Sequence, residues 1–184
     1  DENCVIGKND NYAVSNTTVV FFHGDLYNMQ NLCKKNSITV ENEAQLILYC
    51  YEKNGVSVFE ELSGKFVFII YDKETKIVNI VRDKVGSKQV YYYQNDECFI
   101  FSTELNGLFS TNIIPKVIDK VALSQYLQLT YIPSPNCIIE NVKKVRPAVV
   151  FSRDSEGNIS EEEYWTLKHT IDEKYRDFET CKKD

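Results

Sequence analysis

The side chains of this 184-residue chain that can do chemistry are scattered. Six cysteines, Cys4, Cys33, Cys50, Cys98, Cys137 and Cys181, form no CxxC pair, so they suit neither a zinc site nor a disulfide frame and read as thiols of a reducing, cytoplasmic compartment. Two histidines and dispersed carboxylates offer no metal-ligand spacing, and no glycine-rich loop is present to cradle a phosphate. The most concentrated polar group is His23-Gly24-Asp25, which closes the apolar run TTVVFF at 17–22. Glycine there permits a turn, or a close approach of backbone to a ligand that a larger residue would block. Asp25 is placed to cap a short helix over 26–34.

The elements that must position this group are organised around the stretch 62–93. Two dense apolar runs, 66–71 and 77–81, flank the polar tetrapeptide Asp72-Lys73-Glu74-Thr75, which is the pattern of a hairpin. Both runs are too continuously apolar for a sheet with one wet face, so the pair reads as buried on both sides, with the helices before and after it as covers. Asn42 can cap a helix over 43–53 that Asn54-Gly55 stops, and a short helix over 58–62 follows. Further strands are expected at 90–93 and 98–102, then a short helix over 104–109. Asp119 caps a helix over 120–129 whose buried side is expected to be Val121, Leu123, Tyr126, Leu127 and Leu129. A last hairpin pairs 149–152 with 159–164. Residues 1–16 show no clear period, although 4–6 could end a strand. The chain is therefore α+β.

Composition limits the function classes. With 43% hydrophobic and 26% charged residues the chain carries enough apolar material for a core, which excludes a disordered tail or a fibre. The net charge of −6 and the lack of a basic cluster argue against nucleic acid as a partner. No stretch approaches the roughly 20 apolar residues of a membrane span. Sequons at Asn16 and Asn158 argue only weakly for secretion, since no signal peptide is visible. These features alone do not reach a function.

A resemblance does. HGDLYN at 23–28 resembles the Asn-Gly-Glu-Ile-Tyr-Asn segment of class II glutamine amidotransferases, above all the glutaminase half of asparagine synthetases. ENEAQLIL at 41–48, LSGKFVFIIYD at 62–72, VRDKVGSKQVYYY at 81–93 and FSTELNGLF at 101–109 are similar, in the same order, to further blocks of that family. So are QYLQLTYIPSPNCIIENVKKVRPA at 125–148 and the closing Tyr164-Trp165. Collinear blocks over about 19–165 make coincidence a poor explanation.

The resemblance implies an N-terminal-nucleophile hydrolase fold, an αββα sandwich of two antiparallel sheets with helices outside, here incomplete at its N-terminus. It divides the chain into an amidotransferase-like domain, 1–166, and a linker or start of a synthetase domain, 167–184. In the family a cysteine at the processed N-terminus attacks the glutamine side-chain amide, with its own α-amine as base. An Asn-Gly pair helps to hold the oxyanion. Ammonia then passes to a synthetase domain that uses ATP and Mg, so those cofactors are implied outside this chain and none within it.

The match is altered at the chemistry. The family's Cys-Gly-Ile start and its Arg-x-x-His-Arg-Gly-Pro-Asp segment have no counterpart in the 22 residues before His23. Cys4 is the sole thiol near the start, is not terminal and is followed by Val-Ile-Gly, so no catalytic nucleophile is assigned. Substrate-binding roles carry over to His23, Gly24, Asp25 and Glu43. His23 stands where the family has Asn and could donate to an oxyanion from its ring, or could be a surface histidine before a turn. Asp25 replaces Glu and either binds an amine or caps a helix. Glu43 stands where the family has the amine-binding Asp, or is a carboxylate favoured by the helix dipole. Arg82, Asp83 and Gly86 read as structural, an ion pair with a glycine turn. The expected function is thus a glutaminase-like domain of an asparagine synthetase homologue that does not hydrolyse glutamine by itself. The alternatives are a non-catalytic scaffold or regulatory domain, as in β-lactam synthetases, and a subunit completed by another chain. Glutamine, a synthetase domain or complementary chain, and a second copy of this chain across an open sheet edge are the expected partners.

Overall fold

The computed structural model describes residues 11–168, together with residues 178 and 182. At its centre is the expected hairpin, β3 (Gly64–Asp72) and β4 (Val78–Arg82). Asp72 closes its turn by accepting the N–H groups of Glu74 and Thr75 on Oδ1, at 2.9 and 2.8 Å. Successive side chains on a strand point to opposite faces. Phe66, Phe68 and Ile70 accordingly enter one core, and Val67 and Ile80 enter another.

What covers those two faces differs from expectation. The first is covered by helices, α1 (Met29–Asn36), α2 (Glu43–Asn54) and the 3-10 turn Gly55–Glu61, through Leu46, Ile47, Cys50 and Phe59. The second is covered not by later helices but by another sheet. The main sheet has the order β1-β2-β3-β4-β8-β9 and adds β1 (Tyr12–Val14), β2 (Thr18–Leu26), β8 (Val149–Arg153) and β9 (Ile159–Glu163). Against it lies a three-stranded sheet of β6 (Phe99–Ser102), β5 (Tyr91–Gln94) and β7 (Val142–Lys144), in that order. Tyr92 and Phe151 meet between the sheets with ring centroids 4.7 Å apart. The outer side of the smaller sheet is closed by α3 (Leu105–Phe109) and the segment around Cys137, through Leu108, Ile114 and Ile139. The layers are therefore helix, sheet, sheet, helix, the sandwich expected from the resemblance.

Local expectations hold where the signal is local. Asn42 caps α2, its side chain accepting Gln45 N–H at 2.9 Å, and Asp119 caps α4 (Lys120–Leu129) by accepting Ala122 N–H at 2.8 Å. Three expectations are corrected. The strand at 17–22 does not stop at His23 but runs through Gly24 and Asp25 to Leu26, paired with β3 throughout. Asp25 therefore lies within a strand and caps nothing. The first helix starts after Asn28, whose side chain instead donates to Glu61 C=O at 2.8 Å and accepts Ser63 N–H at 3.0 Å. The apolar side of α4 is not buried either: of its residues only Ala122 is, and Val121, Leu123, Tyr126, Leu127 and Leu129 are exposed. Two short strands, β1 and β7, have no visible period in the sequence.

Among the described residues the main sheet ends in β1 on one side and β9 on the other. Every residue of β9 is exposed, and its Glu161-Glu162-Glu163 run is a charged edge of the kind that discourages strand addition. Arg146 bridges Glu161 at 2.7 Å and Glu163 at 3.4 Å. No described helix is long and apolar enough to cross a membrane.

Candidate active-site edge

The group His23-Gly24-Asp25 lies on β2 beyond the described extent of its neighbour β1. Among the described residues β1 pairs with β2 along Tyr12–Val14, and the ladder reaches the Phe22 N–H to Asn11 C=O bond at 2.9 Å. Beyond it, no described strand pairs with β2 on this side. Backbone groups of alternate residues on a strand face alternate neighbours. Phe22 N–H faces β1 and Tyr27 N–H reaches Ser63 C=O beside β3, at 2.8 Å. The same alternation directs Gly24 N–H away from β3, to the side of β1 and beyond the described end of that strand.

Gly24 also has a structural reason to be glycine. Its φ is +125°, and a Cβ built there would stand 2.0 Å from the Lys65 carbonyl oxygen of β3. Close approach to a neighbouring strand is thus what the glycine provides, in place of the expected turn.

Side chains around this edge divide by face. Phe22 and Leu26 enter the helix-side core, whereas His23 and Asp25 share the opposite face, that of Val67, and are exposed. Their cross-strand partners on β3 are Val67 and Lys65. Glu43 approaches from the helix side. It is drawn there by Asn11, which donates from Nδ2 to Glu43 Oε2 at 2.7 Å and accepts Ala44 N–H on Oδ1 at 3.1 Å. Asn11 thus ties the first turn of α2 to the residue pair that ends the β1–β2 ladder. Sequence reasoning passed over Asn11, since it sits in a polar stretch with no period. The Gln45 side chain also accepts the N–H of Glu41, the residue before the cap, at 2.8 Å. The helix-terminal reading of Glu43 therefore has a physical basis, and its carboxylate is already engaged.

Arg82 ends β4 and Asp83 follows it in the loop; they are 3% and 0% exposed. The expected ion pair is corrected: each is satisfied chiefly by backbone. Arg82 donates to the carbonyls of Lys88, Val145 and Gly86 at 2.5, 2.6 and 2.6 Å, and to Gln89 Oε1 at 3.0 Å. Asp83 accepts the N–H groups of Val85, Ser87 and Lys88. Burial pulls the guanidinium below its ordinary pKa, and the nearby Asp83 carboxylate opposes that shift. Tyr164 adds a clasp by donating its hydroxyl to Arg82 C=O at 2.7 Å.

The thiols lie elsewhere. Cys33 and Cys50 belong to the helix layer, where burial raises the Cys50 pKa; Cys98 is in the β5–β6 turn and Cys137 is buried behind the smaller sheet. Cys4 and Cys181 fall outside the described residues, as does most of 167–184. Among the described residues no cluster of three or more His, Cys, Asp or Glu is gathered as for a metal ion. The edge can hydrogen-bond a polar amide or carboxylate through Gly24 N–H, with an imidazole and a carboxylate on either side of it.

The layers make an αββα sandwich of the N-terminal-nucleophile-hydrolase type. Two solved structures share it at 12% identity: an allosteric regulatory enzyme of purine biosynthesis, with a TM-score of 0.60 over 85% of this chain and 30% of that one, and the glutamine phosphoribosylpyrophosphate amidotransferase of B. subtilis in complex with ADP and GMP, with a TM-score of 0.56 over 84% and 31%. The chain belongs to the glutamine amidotransferase domain family, whose model matches residues 8–165. A putative glutamine-hydrolysing asparagine synthetase of Methanocaldococcus jannaschii is 33% identical over 91% of this chain and 33% of its own length. Glutamine-hydrolysing asparagine synthetase 1 of Bacillus subtilis is 28% identical over 79% of this chain and 24% of its own. The chain thus spans about a third or less of the length of these relatives.

Proposed function

We propose that this chain is the glutamine-binding part of an asparagine-synthetase-like protein, and that by itself it does not hydrolyse glutamine. The observation that carries the reading is the Gly24 N–H, directed away from β3 where no described strand pairs with β2. An outward backbone N–H there, beside His23 and Asp25, suits the amide oxygen and the charged end of glutamine. In this reading the chain binds glutamine and the cleaving nucleophile belongs to another segment or chain. In a complete protein of this type, ammonia would pass to a domain that activates aspartate with ATP and Mg, held outside these residues.

A glutamate-release assay on the 184-residue chain tests the second clause: turnover above a no-protein control overturns it. Titration calorimetry with glutamine tests the first. Binding that weakens at least tenfold in Asp25→Ala supports it, and no binding favours the second reading, a scaffold or regulatory domain. One observation favours that second reading, namely that the Glu43 carboxylate is already held by Asn11 at 2.7 Å.

A further inference from the structure

We propose that Lys65 is a specificity-determining residue of this edge: its ammonium takes the α-carboxylate of the amino acid, beside Asp25, which takes the α-ammonium. The inference rests on the glutamine-binding reading above and deepens it, by naming the group through which the edge selects a zwitterion over a simple amine or amide.

The sheet register brings the two charges together. Asp25 on β2 and Lys65 on β3 are register partners, two residues along the strands from the pair His23 and Val67. Side chains directly opposite each other on neighbouring strands leave the same face, with Cβ atoms about 4.5–5.5 Å apart. Lys65 therefore rises from the face that carries His23 and Asp25, and all three are exposed. None of them is spent on the protein. Among the described residues, the side chains of His23, Asp25 and Lys65 take part in no hydrogen bond or ion pair.

Neighbouring cations are already committed. Arg82 lies across β4 from Val67, but its guanidinium is buried and serves the carbonyls of Lys88, Val145 and Gly86 and the side chain of Gln89. Lys84 donates from Nζ to Glu60 C=O at 2.8 Å. Of these three cations only Lys65 is free to meet an anion beside Asp25.

Charge complementarity then selects the ligand. An α-amino acid carries its ammonium and its carboxylate on one carbon, so a head group laid between Asp25 and Lys65 closes a ring of alternating charges in which every group faces its opposite. An amine without the carboxylate leaves Lys65 unmatched. The direct attraction between two exposed side chains is weak in water, so it offers little competition to a ligand that meets both. Three bonds separate the α-carbon of glutamine from its amide carbon, comparable with the step of about 3.4 Å from Asp25 to Gly24 along the strand. With its head on Asp25 and Lys65, the amino acid can thus bring its amide oxygen to the Gly24 N–H.

Titration calorimetry on the 184-residue chain compares L-glutamine with γ-aminobutyramide, which keeps the amine and the amide and lacks the carboxylate. The unaltered chain is expected to bind glutamine about tenfold more tightly. Lys65→Met should remove that preference by weakening glutamine alone, and Lys65→Arg should restore most of it. Lys120→Met, the same loss of charge at an exposed position on α4, should leave the preference intact. Equal binding of the two ligands by the unaltered chain overturns the proposal. So does a preference that survives Lys65→Met, that Lys65→Arg fails to restore, or that Lys120→Met also abolishes; in each of these cases glutamine binding itself still stands. Absence of glutamine binding by the unaltered chain is a different result, which overturns the underlying reading and the proposal with it.

Discussion

Gly24 on β2 and Gly64 on β3 protect the same short stretch of sheet from opposite sides. A Cβ on Gly24 would stand 2.0 Å from the Lys65 carbonyl oxygen, and one on Gly64 would stand 2.2 Å from that of Asp25. Asp25 and Lys65 are themselves register partners, so both glycines guard one close crossing of the two strands. Gly24→Ala should therefore cost roughly 2–4 kcal/mol, because it combines a backbone clash with a φ of +125° that an L side chain resists. Urea unfolding measures this. An unchanged midpoint would show that the strands can part at that crossing without cost.

Arg82 serves four acceptors with one planar fork, a geometry lysine cannot reproduce. Arg82→Lys keeps the charge and leaves buried carbonyls unsatisfied, so a loss of about 2–4 kcal/mol is expected. Asp83→Asn should cost less, since an amide oxygen can still accept some of the three N–H groups. Denaturant midpoints of the two variants give the order, and equal effects would count against the clasp as described.

Burial pushes the Tyr164 phenol well above its ordinary pKa, with the Asp83 carboxylate adding to the shift. In the unfolded chain this tyrosine releases its proton near pH 10. The folded chain holds it to higher pH, so above about pH 10 the unfolded state carries fewer protons and stability falls as pH rises. Tyr164→Phe should lower stability at neutral pH by about 1 kcal/mol through loss of the bond to Arg82 C=O. It should also flatten part of the alkaline decline. Thermal unfolding from pH 8 to 11 compares the slopes; identical slopes would remove Tyr164 from the account.

Asp119→Ala removes the cap of a helix that little else supports. The expected loss is about 1 kcal/mol, felt locally as roughly fivefold faster amide exchange within α4, with the global midpoint nearly constant. A large drop in the global midpoint would mean that α4 is coupled to the core more tightly than its contacts indicate.

Much of the fold was legible because much of it is written in short-range patterns. Asn42 and Asp119 announce helix starts because a capping side chain needs only an N–H three residues on. The β3–β4 hairpin is visible because apolar runs and a polar turn lie side by side in the chain. Gly24 shows why the site was harder to read. A glycine that permits a turn and one that permits close strand approach are the same letter, and only the position of the Lys65 carbonyl separates them. Asn11 was invisible for a related reason: its value lies in joining Phe22, Glu43 and Ala44, which are neighbours only once the sheet and α2 have met.

By itself the sequence determined the types of the longer elements, the two-faced burial of the central hairpin and the family, since periodicity, caps and motif order are properties of neighbouring residues. Tertiary structure decided what covers each face: helices over Phe68, a second sheet over Val67, and nothing among the described elements over Leu127. An apolar stripe tells that a side chain is costly to leave in water, but the partner that relieves the cost comes from distant chain, and no local pattern names it.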